Sequence, residues 1–115
     1  MQRRYIPERG DLVWCDFDPT RGHEQARQRP AALVLSPKLF NQKVGLALVV
    51  PVTSTVRGHP FEVAVSGRKV SGMALIQQQR TIDYQACRVV FVERASSAVV
   101  SEALLKARAI LADEA

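Results

Sequence analysis

Two stretches, Ala31-Ala32-Leu33-Val34-Leu35-Ser36 and Leu46-Ala47-Leu48-Val49-Val50-Pro51-Val52-Thr53, decide the fold. Both are nearly continuous apolar runs, too short for core helices and without polar alternation. Such runs read as strands buried on both faces, and so as the centre of a sheet. Outward from them, Asp11 to Phe17 reads as a first strand, entered through Gly10 and left through Asp18-Pro19-Thr20. Phe61, Val63 and Val65 alternate with Glu62, Ala64 and Ser66, which predicts a strand with one wet face that starts at Pro60. Gly72 to Ile76, Gln79 to Ile82 and Arg88 to Val92 complete the β set. Short strands cut so often by turn residues predict a small, strongly bent sheet or partly open barrel. After Ser96-Ser97, a good N-cap pair, the period becomes helical, with Val100, Ala103, Leu104, Ala107, Ile110 and Leu111 on one stripe. One C-terminal helix is expected to close the core.

The 115 residues suffice for one domain, taken as 1–115, with a modest core. A hydrophobic content of 47% argues for a folded globule rather than a basic tail. The longest apolar run, Val44 to Val52, holds Gly45 and Pro51 and falls far short of the roughly 20 residues a membrane span needs. Met1-Gln2-Arg3-Arg4 leads to Pro7, Glu8 and Gly10 instead of an apolar segment, so nothing resembles a secretory signal and a cytoplasmic location is expected. Two cysteines, Cys15 and Cys87, are too few for a disulfide framework or a four-thiolate zinc site, and buried free thiols are expected. The net charge of +5 is carried as +3 on residues 1–43, +3 on 44–95 and −1 on 96–115. A basic excess over the first two thirds, with a pI near 9.8, suits an anionic partner, of which RNA or DNA is the commonest.

Three segments can carry chemistry. Gly22 to Pro30 is a polar connection between two apolar strands and gathers His23, Glu24, Gln25, Arg27 and Arg29. It thus combines a possible proton acceptor, neutral hydrogen-bonding groups and fixed positive charge, a mixture that suits phosphate chemistry. Arg29 is the most specific of these, because Pro30 restrains its backbone and the buried strand from Ala31 fixes its position. A guanidinium there can clamp a phosphate through paired donors, or form an ion pair with Glu24 or Asp16. The second segment ends an apolar strand in Thr53-Ser54-Thr55, where Thr53 can meet a bound anion or simply cap the turn. The third, Gln77-Gln78-Gln79-Arg80, interrupts a β pattern. Amides there can read base edges, and three neighbouring glutamines imply one facing inward or a bulge. His23 and His59 lie on different loops without ligand-type spacing, so no metal site is expected. Cys15 reads as a buried strand residue, which argues against a Cys15–His23 nucleophile pair.

In this order and spacing the chain resembles the MazF/PemK family of toxin endoribonucleases. The resemblance rests on Arg9-Gly10-Asp11-Leu12-Val13-Trp14 with Asp16-Phe17-Asp18-Pro19-Thr20, on Gly22-His23-Glu24-Gln25, and on Arg29-Pro30-Ala31. Val50-Pro51-Val52-Thr53, Gly58-His59-Pro60-Phe61-Glu62-Val63 and Gln78-Gln79-Arg80-Thr81-Ile82-Asp83 extend it over nearly the whole chain. The resemblance implies a mainly β fold, a small SH3-like β-barrel with a C-terminal α-helix. It also implies a homodimer that cuts single-stranded RNA at short sequences without metal or other cofactor, and a small antitoxin partner. Arg29 and Thr53 match the family's main catalytic positions, and the loop with His23 and Glu24 resembles the loop that borders the RNA groove. One departure stands out: many relatives carry Asp-Gln where this chain has Gln77-Gln78, so the base role assigned to that Asp in some members does not transfer, and Glu24 or His23 substitutes or the base is solvent.

The expected reaction is attack of a ribose 2′-hydroxyl on its own 3′-phosphate, giving a 2′,3′-cyclic phosphate and a 5′-hydroxyl. Arg29 then faces the developing phosphorane, Thr53 an adjacent oxygen, and Glu24 is the first choice for base, with His23 the second. Arg is always charged and a poor proton donor, which favours an electrostatic role. His23, Gln25, Arg27, Gln78 and Arg80 are expected to bind RNA. An antitoxin that competes for a basic groove is expected to present an acidic, partly disordered segment. Two other readings share the fold: a non-catalytic toxin like the CcdB group that blocks DNA gyrase, and a catalytically silent RNA-binding module.

Overall fold

The computed structural model describes residues 5–15, 30–55 and 58–113. Seven strands, β1 (Asp11–Cys15), β2 (Ala31–Val34), β3 (Ala47–Thr53), β4 (Glu62–Ser66), β5 (Ser71–Leu75), β6 (Arg80–Ile82) and β7 (Val89–Arg94), form one sheet with two helices, α1 (Lys38–Val44) and α2 (Ser97–Leu111). All strand pairs are antiparallel, and the sheet runs β4-β5-β3-β2-β1-β7 with β6 also on β3. Among the described residues this path is open, and no ladder joins β4 to β7. No described helix is long and apolar enough to cross a membrane.

The two apolar runs are central, as their sequence predicts, because each faces a core on both sides. Leu12, Leu33 and Val50 enter one cluster with Val63, Val65, Ile76 and Ala103, while Val13, Ala32, Val34 and Val49 enter another with Ile82 and Tyr84. Period-2 geometry sorts neighbouring residues of the same strand onto these two faces. Burying two apolar faces on one short sheet gives the fold its main driving force, at about 25 cal/mol per Å² of apolar surface removed from water. Helix α2 covers the first cluster through Ala103, with Val99 and Ala107 beside it. Its N-cap is Ser96, whose hydroxyl accepts the Val99 N–H at 3.2 Å.

Several expectations are corrected. The last helical turn leaves Ile110 39% and Leu111 80% exposed, so the apolar stripe covers the core only as far as Ala107. Glu62 is buried rather than on a wet face, and its carboxylate accepts the Gly58 N–H at 3.3 Å. Cys15 is a buried thiol on β1, but Cys87 is half-buried in the turn that starts at Asp83. Helix α1 has no counterpart in the sequence reading, because its polarity is inverted: Leu39, Phe40 and Val44 are exposed and its buried residue is Asn41. Polar bonds hold it instead. The Asn41 side-chain amide donates to the carbonyls of Pro7 at 2.7 Å and Ser36 at 3.1 Å, Ser36 donates to its oxygen, and Tyr84 donates to its backbone carbonyl at 2.7 Å.

The glutamines mark a break in the ladder. Strand β5 pairs with β3 as Val52↔Ala74, whereas β6 pairs with it as Val49↔Arg80, so three extra residues are taken up between them. They form a 3-10 turn, Ile76–Gln78, that buries Ile76 and leaves Gln77 and Gln78 exposed. The break faces Val50 and Pro51, and Pro51 has no N–H to give to a ladder. A bulge, not an inward glutamine, is therefore the answer to the run Gln77-Gln78-Gln79.

Candidate active site

Strand β3 rises out of the core toward its C-terminal end: Val49 and Val50 are fully buried, while Pro51, Val52 and Thr53 are half-buried. Thr53 is thus the point where a rigid central strand meets the surface. Its Oγ1 accepts the Thr55 N–H at 3.2 Å, which turns the chain after the strand. That bond uses a lone pair and leaves the hydroxyl hydrogen to donate. The turn-capping role and an anion-facing role are therefore compatible at this hydroxyl.

The neighbours of Thr53 come from three strands. The register Ala31↔Val52 sets Pro30 at the Thr53 end of the sheet, and the Cys15 N–H donates to the Pro30 carbonyl at 2.8 Å. On the other side Met73 pairs with Thr53. Cys15, Pro30, Thr53 and Met73 therefore form one row across β1, β2, β3 and β5 at a single end of the sheet. Beside it, Gly72 has φ +148°, and a Cβ there would lie 2.9 Å from the Thr53 carbonyl carbon and closer still to its oxygen. Only glycine lets β5 run this near to the Thr53 backbone. Sequence reasoning took Gly72 as the start of a strand; a glycine inside a β pattern is the signal for such a close approach.

Arg80 pairs with Val49, four residues before Thr53, and so sits about 13 Å away along β3 on the same face of that strand. Gln78 is exposed on the turn between these two levels. The structure thus brings Thr53, Gln78 and Arg80 along one side of β3. Arg29, Glu24, His23, Gln25 and Arg27 lie outside the described residues. Among the described residues no group of three His, Cys, Asp or Glu side chains is placed to hold a metal ion.

The Arg9-Gly10-Asp11 block belongs to the opposite end of β1. Buried Asp11 accepts from Arg94 at 3.0 Å, from the Glu8 N–H at 3.1 Å and from the Tyr5 hydroxyl. Burial first, and then this bond to Asp11, push the Tyr5 phenol above its ordinary pKa. The cluster pins the N-terminal segment to β7 about 13 Å from the row that holds Cys15, too far to share its chemistry.

Residues 8–111 match the family of PemK-like, MazF-like toxins of type II toxin-antitoxin systems. The chain belongs to this family. It is 51% identical over 86 residues, 75% of its own length and 77% of the relative's, to the endoribonuclease toxin MazF of Escherichia coli K12. It is 39% identical over 109 residues, 90% of its length and 93% of the relative's, to the endoribonuclease toxin ChpB of the same organism. Among solved structures it is similar to MazF in a MazE–MazF crystal structure from Deinococcus radiodurans, with a TM-score of 0.80 and 35% identity over 94% of this chain and 98% of that one.

Proposed function

We propose that this chain is the toxin of a type II toxin-antitoxin system, an endoribonuclease that cuts single-stranded RNA at short sequences without a metal ion. The observation that supports the reading is the register Ala31↔Val52, which sets Pro30, the residue that follows Arg29 in the sequence, at the Thr53 end of the sheet. Similarity to relatives named endoribonucleases supports the activity.

The 2′-oxygen of the nucleotide 5′ to the cut forms a bond to its own 3′-phosphorus while the bond to the departing 5′-oxygen breaks. The 2′-hydroxyl proton passes to Glu24, with His23 as the second choice, and the 5′-oxygen takes a proton from solvent or His23. Arg29 neutralises the charge that builds on the phosphorane oxygens, and Thr53 donates to one of them. Gln77 has no titratable group, so the base is Glu24 or His23, or else solvent, rather than a residue of the turn after β5. Gln25 and Arg27 with Gln78 and Arg80 hold flanking nucleotides, Arg80 through a neighbouring phosphate and Gln78 through a base edge.

The finer fold reading is an SH3-like barrel, supported by an all-antiparallel sheet of short strands that carries a core cluster on each face and by similarity to MazF. A homodimer is supported by exposed Leu39, Phe40 and Val44 on α1 and by exposed Val90 and Phe91 on the terminal strand β7, apolar side chains that a monomer would leave wet. The antitoxin partner presents an acidic segment to the basic toxin, and both act in the cytoplasm, where the RNA is.

Incubation of the purified protein with single-stranded RNA in EDTA tests the reading. Discrete fragments ending in 2′,3′-cyclic phosphate are expected, and a deoxyribose at the cut position blocks the reaction. Intact RNA, or inhibition of DNA gyrase without fragments, refutes it.

A further inference from the structure

Strands β4 and β7 are the two ends of the sheet path, and among the described residues no ladder joins them. A side chain bridges the interval. The Glu93 carboxylate on β7 accepts three successive backbone N–H groups from the turn between β4 and β5: Arg68 at 3.1 Å, Lys69 at 2.7 Å and Val70 at 2.8 Å. The turn itself is closed by the Gly67 N–H on the Val70 carbonyl at 2.8 Å. A Cβ at Gly67 would stand 2.7 Å from that carbonyl oxygen and would collide with the Glu93 carboxylate, so the glycine makes room for the clasp.

What the clasp holds is the entry to β5. Val70, one of the three donors, is buried in the core, and two residues later Gly72 lies against the Thr53 carbonyl while Met73 pairs with Thr53. From these contacts we infer that Glu93 is a positioning residue for Thr53, acting through the 67–70 turn and the first residues of β5. This rests on Thr53 facing the scissile phosphate, as proposed above. Glu93 touches no substrate. It fixes the height at which β5 meets β3, and with it the direction of the Thr53 hydroxyl at the end of an otherwise rigid strand. Three charge-assisted bonds converging on one carboxylate are well suited to this, because charged acceptors form shorter and stronger bonds than neutral ones. A carboxamide keeps the size of the side chain but loses the charge and turns an N–H₂ group toward three N–H donors.

Glu93→Gln, Thr53→Val and Ala109→Gly in the full chain test the inference. Ala109→Gly weakens the exposed face of α2 and serves as a control for general loss of stability. Each is assayed for RNA cleavage well below its melting temperature and for backbone amide exchange by NMR. In Glu93→Gln, kcat should fall on the order of tenfold with KM changed less than about twofold, as expected when a reacting group is slightly misplaced. The amides of Lys69, Val70 and Met73 should exchange faster, and Glu93→Asp should recover part of the rate. Ala109→Gly should keep the wild-type kcat. A wild-type kcat in Glu93→Gln beside an inactive Thr53→Val overturns the positioning role alone. A fall in kcat that Ala109→Gly reproduces overturns it too. A fully active Thr53→Val overturns the assignment of Thr53 and the catalytic consequence of the clasp with it.

Discussion

The carboxylate of Glu93 accepts the Val70 N–H at 2.8 Å, so the last strand of the sheet reaches the turn between β4 and β5 with a side chain rather than with its backbone. The N–H groups of Lys69 first, and then of Val70, hold the Glu93 carboxyl below its ordinary pKa. Lys69 on that turn is the charged side chain that also acts on it, Arg68 contributes its backbone N–H, and Leu12 pairs with Glu93 on β1. A carboxyl whose folded pKa is depressed stabilises the fold above its unfolded pKa and loses that contribution as the pH falls through the folded value. The stability difference between wild type and Glu93→Gln should therefore be full at neutral pH and shrink below about pH 4.5. Thermal melts followed by circular dichroism across that range check it; a difference that grows on acidification contradicts the sign.

Gly72→Ala should damage both stability and activity. The new Cβ must displace the Thr53 carbonyl or β5, and the backbone at φ +148° is strained for any L side chain. A cost of about 2 kcal/mol is expected. Urea unfolding measures the cost, and cleavage assayed on the folded fraction should still show reduced kcat.

Arg29→Ala should lower the cleavage rate by on the order of 10²–10³, the usual loss when a preorganised charge leaves a phosphoryl transition state. Arg29→Lys should restore little, because an ammonium lacks the paired donors of a guanidinium. Single-turnover cleavage of one defined RNA site would show this, and a wild-type rate in Arg29→Ala removes Arg29 from the mechanism.

Asn41→Ala should unfold the chain more easily without touching the chemistry. The amide is fully buried and bonds Pro7 and Ser36, so its loss leaves those buried groups unpaired. A loss of about 2–4 kcal/mol is expected from breaking such a network. The denaturant midpoint should drop while kcat of the folded protein stays unchanged.

Binding of the acidic antitoxin segment should weaken as salt rises, since attraction to a chain of net charge +5 is screened. Isothermal titration at low and high ionic strength tests this, and an affinity indifferent to salt counts against the acidic partner.

The central place of the two apolar runs and the C-terminal helix with its Ser96 cap were legible in the residues themselves. Apolar runs, period-2 alternation and a capping serine are local patterns that report burial directly. Helix α1 was not legible, because its fold-side contact is Asn41 and its apolar residues face out, so the usual periodicity signal is reversed. The burial of Glu62, the three-residue turn opposite Pro51, the approach of Gly72 to Thr53 and the clasp of Glu93 on residues 68–70 were decided by the tertiary structure. Each joins positions brought together by strand pairing or packing, and a one-dimensional pattern records how buried a residue is, not which distant backbone it meets.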